Sequence, residues 1–154
     1  MRAFSFCTLA AVVALSGLSL AQSTVNKSAG SDREKLIGAW HLVSLGEAGA
    51  NGTMTSVPGL KGALVYTRDG HMSVQIMYPG STVSNDYVHN GYEASFGSYD
   101  IDEAAHTVTH HIQGSITHGL VGKNLVRAYQ LSGQRLLIHS TRPDEHWQAV
   151  WEHD

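Results

Sequence analysis

From Gly38 to the carboxyl terminus, apolar and polar residues alternate with a period of two in short runs, the pattern of strands that bury one face. Gly38-Ala-Trp-His-Leu-Val-Ser-Leu45 opens the series, with Trp40 and Leu42 on one side. Leu60–Thr67 and His71–Tyr78 follow, separated by Arg68-Asp69-Gly70; an Asp-Gly step between apolar runs predicts a hairpin, because glycine supplies the positive φ of a tight turn. Ser95–Ile101, His106–Gln113, Leu125–Leu131, Arg135–Thr141 and His146–Glu152 complete a set of eight predicted strands. Little else is regular. Ser31-Asp-Arg-Glu34 matches a capping box ahead of Leu36 and Ile37 and predicts one short helical turn. Gly46–Pro58 and Gly114–Asn124 read as loops, and Pro79–Glu93 as a turn-rich stretch with a fragment of helix.

Eight short strands joined by short turns, with almost no helix, predict an all-β, antiparallel fold. An eight-stranded barrel removes exposed edges and has room inside for side chains or one small ligand. An open sandwich is the other arrangement the pattern allows.

Two of these strands place polar groups on their apolar faces. In His106–Gln113, Val108, His110 and Ile112 share a face; in Leu125–Leu131, Leu125, Arg127, Tyr129 and Leu131 do. A cation among leucines needs an anionic or polar partner, since an unpaired buried charge is very costly. That partner is either a side chain, with Asp100, Glu152 and tyrosine hydroxyls as candidates, or a ligand. Arginine presents a fork of donors suited to a carboxylate. His110 and Arg127 are therefore the leading ligand-binding candidates, with Tyr66, Tyr99, Tyr129 and Met72 as further lining residues.

The amino terminus changes the picture next. Residues 1–21 combine one basic residue, an apolar run and small residues ending Ser19-Leu20-Ala21, the pattern of a secretory signal peptide cut before Gln22. The chain thus divides into a leader over 1–21, a polar lead-in over 22–32 and one domain over 33–154, exported to a periplasm or outside the cell. The single cysteine, Cys7, lies in the leader, so hydrophobic burial has to stabilise the exported domain without a disulfide. Roughly 130 remaining residues suffice for that as one domain. The net charge of −3 carries no basic patch, which argues against nucleic acid as a partner. The apolar leader run is short for a membrane span.

The order of motifs resembles the bacterial and fungal lipocalin-like domain family, a calycin-type β-barrel group. The resemblance rests on Gly38-Ala-Trp-His-Leu-Val-Ser44, Gly62-Ala-Leu-Val-Tyr-Thr-Arg-Asp-Gly-His-Met-Ser-Val74 and Phe96-Gly-Ser-Tyr-Asp-Ile-Asp-Glu103. It continues through Thr107-Val-Thr-His-His111, Gly122, Val126-Arg-Ala-Tyr-Gln-Leu-Ser-Gly133, Arg135-Leu-Leu137 and Val150-Trp-Glu152. It implies a lipocalin-like barrel whose Gly-x-Trp, here ending at Trp40, closes one end under a short helix. The chain departs from the family in a shorter segment between Tyr78 and Ser95, in His118-Gly-Leu120 where Pro-Asn-Trp is usual, and in His153 where a basic residue usually follows Trp-Glu.

Ten histidines raise the question of a metal. His106 and His110 lie about 13 Å apart on a strand at ~3.3 Å per residue and cannot share an ion. No Cys-x-x-Cys, His-Glu-x-x-His, nucleophile elbow, phosphate loop or dinucleotide fingerprint occurs, so neither metal nor cofactor is expected. Three uses of the barrel stay open. The first is an exported protein binding a small, mainly apolar ligand with a polar or acidic end at Arg127 and His110. The second is a cofactor-free acid–base enzyme of isomerase or cyclase type, using His110 and Arg127 with Asp100 or a tyrosine. The third is a packed structural barrel. The first calls for a hollow of several hundred cubic ångströms reaching His110, since ligand pockets run about 300–1,000 Å³.

Overall fold

The structure, a computed structural model, describes residues 30–48 and 53–154. The leader over 1–21 and the lead-in as far as residue 29 lie outside the described residues. The described chain opens with helix α1 (Asp32–Leu36) and continues through nine strands: β1 (Gly38–Ala48), β2 (Met54–Ser56), β3 (Lys61–Tyr66), β4 (His71–Met77), β5 (Tyr92–Asp102), β6 (Thr107–Ser115), β7 (Asn124–Ser132), β8 (Arg135–Ser140) and β9 (Trp147–His153).

All pairings are antiparallel, and β1 pairs with both β3 and β9, so eight strands close into a barrel. The ninth, β2, is a three-residue strand paired only with the far end of β1. It falls inside the stretch 46–58 that reads as loop, because three exposed residues carry no apolar face for an alternation to register. The expected fragment of helix within Pro79–Glu93 does not form. The segment is bends and turns held by Asn85, whose side chain accepts from the backbone N–H of Tyr87 and Val88, and β5 begins earlier than its apolar run, at Tyr92.

The two hairpin and capping signals take the expected form. Gly70 has φ 90° in the turn between β3 and β4, and Ser31 Oγ accepts from Glu34 N at 3.3 Å. Helix α1 is too short to persist in water alone and is held by packing. Its Leu36 is fully buried at one end of the barrel, and its Leu36 carbonyl accepts from Trp40 Nε1 at 2.9 Å. Behind Trp40, His153 packs edge-on at 4.7 Å between ring centroids and its Nε2 lies 3.2 Å from the Ile37 carbonyl. A methyl at Gly38 would overlap that imidazole, and Gly38 has φ 144°, so the position requires glycine. The histidine that replaces the expected basic residue thus still covers the tryptophan.

The closed end is a packed core. Leu36, Trp40, Tyr66, Met72, Tyr99, Val108, Tyr129 and Leu136 are each at most 2% exposed. At the strand ends opposite α1 the covering comes instead from the 79–91 segment and Leu120.

Candidate functional site

A cavity of about 100 Å³ opens at the end of the barrel away from α1. Its walls are mainly apolar, with Leu64, Val74, Ile76, Ile138 and Trp151 among them, and it reaches His110 and Arg127. It is smaller than the several hundred cubic ångströms expected, because Asn85, Tyr87 and Val88 of the 79–91 segment and Leu120 from the 3-10 turn His118–Leu120 fold into its mouth.

The alternation behind the two leading candidates holds. Val108, His110 and Ile112 of β6 all face inward, as do Arg127 and Tyr129 of β7, and His110 sits across from Leu125. Tyr66 reaches the same region from β3, its hydroxyl 2.6 Å from His110 Nε2. Burial raises the Tyr66 hydroxyl well above its usual range, so it stays protonated. Burial also pushes His110 down to about 3, helped by the charges of Arg127 and His111, and the imidazole is neutral at pH 7. No hydrogen bond from the described residues reaches Nδ1 of His110. Among the described residues, the buried side-chain atoms without a partner are Thr117 Oγ1 and Trp151 Nε1, and Trp151 lines the cavity with His110.

Arg127 is 5% exposed and its counter-charge is Glu145, at 3.6 Å from NH1 to Oε2. The guanidinium lies over the rings of Trp147, at 4.8 Å, and Tyr87, at 5.2 Å, a stacking that favours a buried cation. Glu145 is itself anchored: it accepts from Tyr87 Oη at 2.7 Å, Ser140 Oγ at 2.6 Å and Trp147 Nε1 at 3.2 Å. Burial pushes its carboxyl up, but these hydrogen bonds and Arg127 outweigh that and leave it below the usual range. The partners considered from sequence sit elsewhere. Asp100 is on the outer wall, bonded to His111 Nε2 at 2.9 Å, and Glu152 pairs outside with Arg135 at 4.0 Å. Asp100 therefore has no place in chemistry within the cavity.

The other sequence candidates belong to the closed end. Tyr99 donates to the Thr67 carbonyl at 3.0 Å, Tyr129 donates to Asp32 Oδ2 of α1 at 3.1 Å, and Met72 is core; none of the three lines the cavity. The structure adds Glu93 instead. Glu93 pairs across the sheet with the buried Ile76 and so faces the interior, where it lines the cavity. Counting back by twos from Tyr99 through Gly97 and Ser95 reaches Glu93, a signal masked by the turn-like residues before it. Tyr87, Glu145 and Trp147 lie in turns or at a strand's start and carry no periodic signal.

The family model of the lipocalin-like domain matches residues 37–152. The chain belongs to the lipocalin-like domain family. Among solved structures, this lipocalin-like chain is similar to a lipocalin-like protein from Bacteroides uniformis, at 14% identity and a TM-score of 0.50, covering 78% of this chain and 99% of that one. An uncharacterized protein from Bacteroides eggerthii shares 11% identity over 77% of this chain and 99% of that one, at a TM-score of 0.47. None of the curated proteins matches. At such identities the likeness concerns the lipocalin-like fold, which is compatible with a small ligand inside the barrel. No helix among the described residues is long and apolar enough to cross a membrane.

Two titratable groups of the lipocalin-like cavity, Glu93 and His110, pull stability in opposite directions. Burial lifts Glu93 to about 7, against the pull of Arg127. Between its ordinary value of 4.5 and about 7 the folded state holds a proton that the unfolded chain has released, so this contribution falls as pH rises. His110 acts oppositely. Between about 3 and its ordinary 6.5 the unfolded chain binds the proton, so stability falls as pH drops. Glu93→Gln removes the first slope alone. Its melting temperature relative to wild type is expected to climb from pH 5 to pH 7 and level off above, in a thermal-shift series. A difference that stays flat across that range would contradict an inward-facing Glu93 that keeps its proton up to about 7.

Proposed function

We propose that the barrel binds one small, mainly apolar molecule whose polar end lies in the cavity, and that the chain is exported to a periplasm or outside the cell to do so. The observation that carries the binding reading is the cavity itself: apolar walls with a few convergent polar groups, Glu93, His110 and Arg127, at its surface. Export is supported by the leader-like residues 1–21 and by the lack of cysteine beyond them. Because Glu145 already offsets Arg127, the ligand's polar end need not be an acid. With the mouth folded in, the volume suits a molecule of few heavy atoms; a larger one requires the 79–91 segment to lift.

Untargeted mass spectrometry of the gently purified protein tests this. A single small apolar compound is expected to co-purify near one per chain. It should be missing from Ala149→Leu, which places a larger side chain in the cavity wall. Equal retention by both proteins would remove the cavity from consideration.

A second reading follows from Glu93, whose carboxyl is poised near 7 in the same cavity as a neutral imidazole, a combination suited to proton transfer. It replaces Asp100 with Glu93 in the acid–base alternative. Recovery of an altered compound after incubation would favour it over simple binding.

A further inference from the structure

We propose that the polar end of the molecule held here is a basic nitrogen, an amine in its ammonium form, received by Glu93 beneath the aromatic rim of Tyr78, Tyr87 and Trp147. This rests on the binding reading above and names the chemistry of its ligand. The cavity contains one cation, Arg127, and that cation is already served. Glu145 lies 3.6 Å from it, two rings stack on it, and three hydrogen bonds hold Glu145 in place. A carboxylate entering the cavity would have to displace an anchored one.

Glu93 is in the opposite situation. It faces inward from β5 against Ile76 and lines the cavity, and its side chain makes no hydrogen bond or ion pair with any described residue; its electrostatic neighbour is Arg127. Glu47, at the end of β1, lines the same cavity beside Trp147, its partner on β9. Tyr78 lines the cavity with both acids, whose charges help burial to raise its hydroxyl. The unmatched charge of the cavity is therefore negative and sits among aromatic faces, which attract organic cations.

An independent observation points to a polar guest. His110 is 7% exposed and lines the cavity, its Nε2 is taken by Tyr66, and no hydrogen bond from the described residues reaches its Nδ1. Its second ring nitrogen therefore offers a ligand atom one polar contact along the same space. The guest thus has an ammonium at the Glu93 level, an apolar body against Leu64, Val74 and Ile76, and room for one more polar contact at His110.

Calorimetric titration of the full-length protein at pH 8 with hexylamine, hexanol and hexanoate tests the assignment. Hexylamine is expected to bind about tenfold more tightly than hexanol, and hexanoate more weakly than either. In Glu93→Gln the amine should lose that tenfold advantage over hexanol. The ranking in the wild-type protein tests the claim even if the variant folds poorly. Hexanoate binding most tightly, or an amine preference that survives Glu93→Gln, overturns the nitrogen assignment. Hexanol and hexanoate binding with no advantage for the amine overturns it too, and leaves the cavity a binding site. If none of the three binds, the binding reading falls with it.

Discussion

Glu145→Ala is expected to lower the unfolding free energy by about 3–5 kcal/mol, the cost of breaking a buried ion pair from one side. Arg127 is 5% exposed and no other carboxylate forms an ion pair with it among the described residues, so the variant leaves a guanidinium inside the barrel without its counter-charge. The same change strips the acceptor from Tyr87 Oη, Ser140 Oγ and Trp147 Nε1. Pairing it with Arg127→Leu should recover much of the loss, because the orphaned charge goes with its partner and leucine suits apolar walls. Urea unfolding of the two single variants and the double variant measures this. Additive losses would mean that Glu145 and Arg127 do not depend on one another. Tyr87 adds a functional consequence. Its hydroxyl ties the 79–91 segment to the β8–β9 turn, so Glu145→Ala should also speed exchange of whatever occupies the cavity.

Trp40→Ala carries the second large effect, again about 3–5 kcal/mol, at the other end of the molecule. Trp40 is 1% exposed, bonds the last turn of α1 through Leu36, and lies under His153. Its removal opens a void where helix, first strand and last strand meet, and it frees the carbonyl that anchors the helix. Trp40→Phe keeps most of the volume and should cost less than half as much. Since Trp40 does not line the cavity, the variant that remains folded should bind ligand as the parent does. Loss of binding at temperatures where Trp40→Ala is still folded would mean that the two ends are coupled.

The strand pattern could be read because it is local. Alternation over His106–Gln113 and Leu125–Leu131 put His110 and Arg127 on buried faces, and both are buried, since a period of two commits every second side chain to one side of a sheet. Irregularities in the ladder are what hid the rest. Between Leu42 and Ser44 the pairing of β1 with β9 slips by one residue, which leaves Val43 exposed and turns Leu45 and Glu47, rather than Ser44 and Gly46, toward the cavity. A bulge of this kind has no composition signature. The inward direction of Glu93 followed from its rung opposite Ile76, a register that depends on a second strand.

On its own, the sequence determined the eight strands, the capped helical turn, the Asp-Gly hairpin and the inward direction of an imidazole and a guanidinium. These rest on backbone conformation and on the partition of side chains between two faces, both set by residues near in the chain. Only the tertiary structure decided that Glu145, from a turn, neutralises Arg127, that Tyr99 and Tyr129 serve the closed end, and that Glu93 is the acid without a partner. Those outcomes depend on which ends of distant strands converge when the sheet closes, and closure adds relations between residues that no single segment contains.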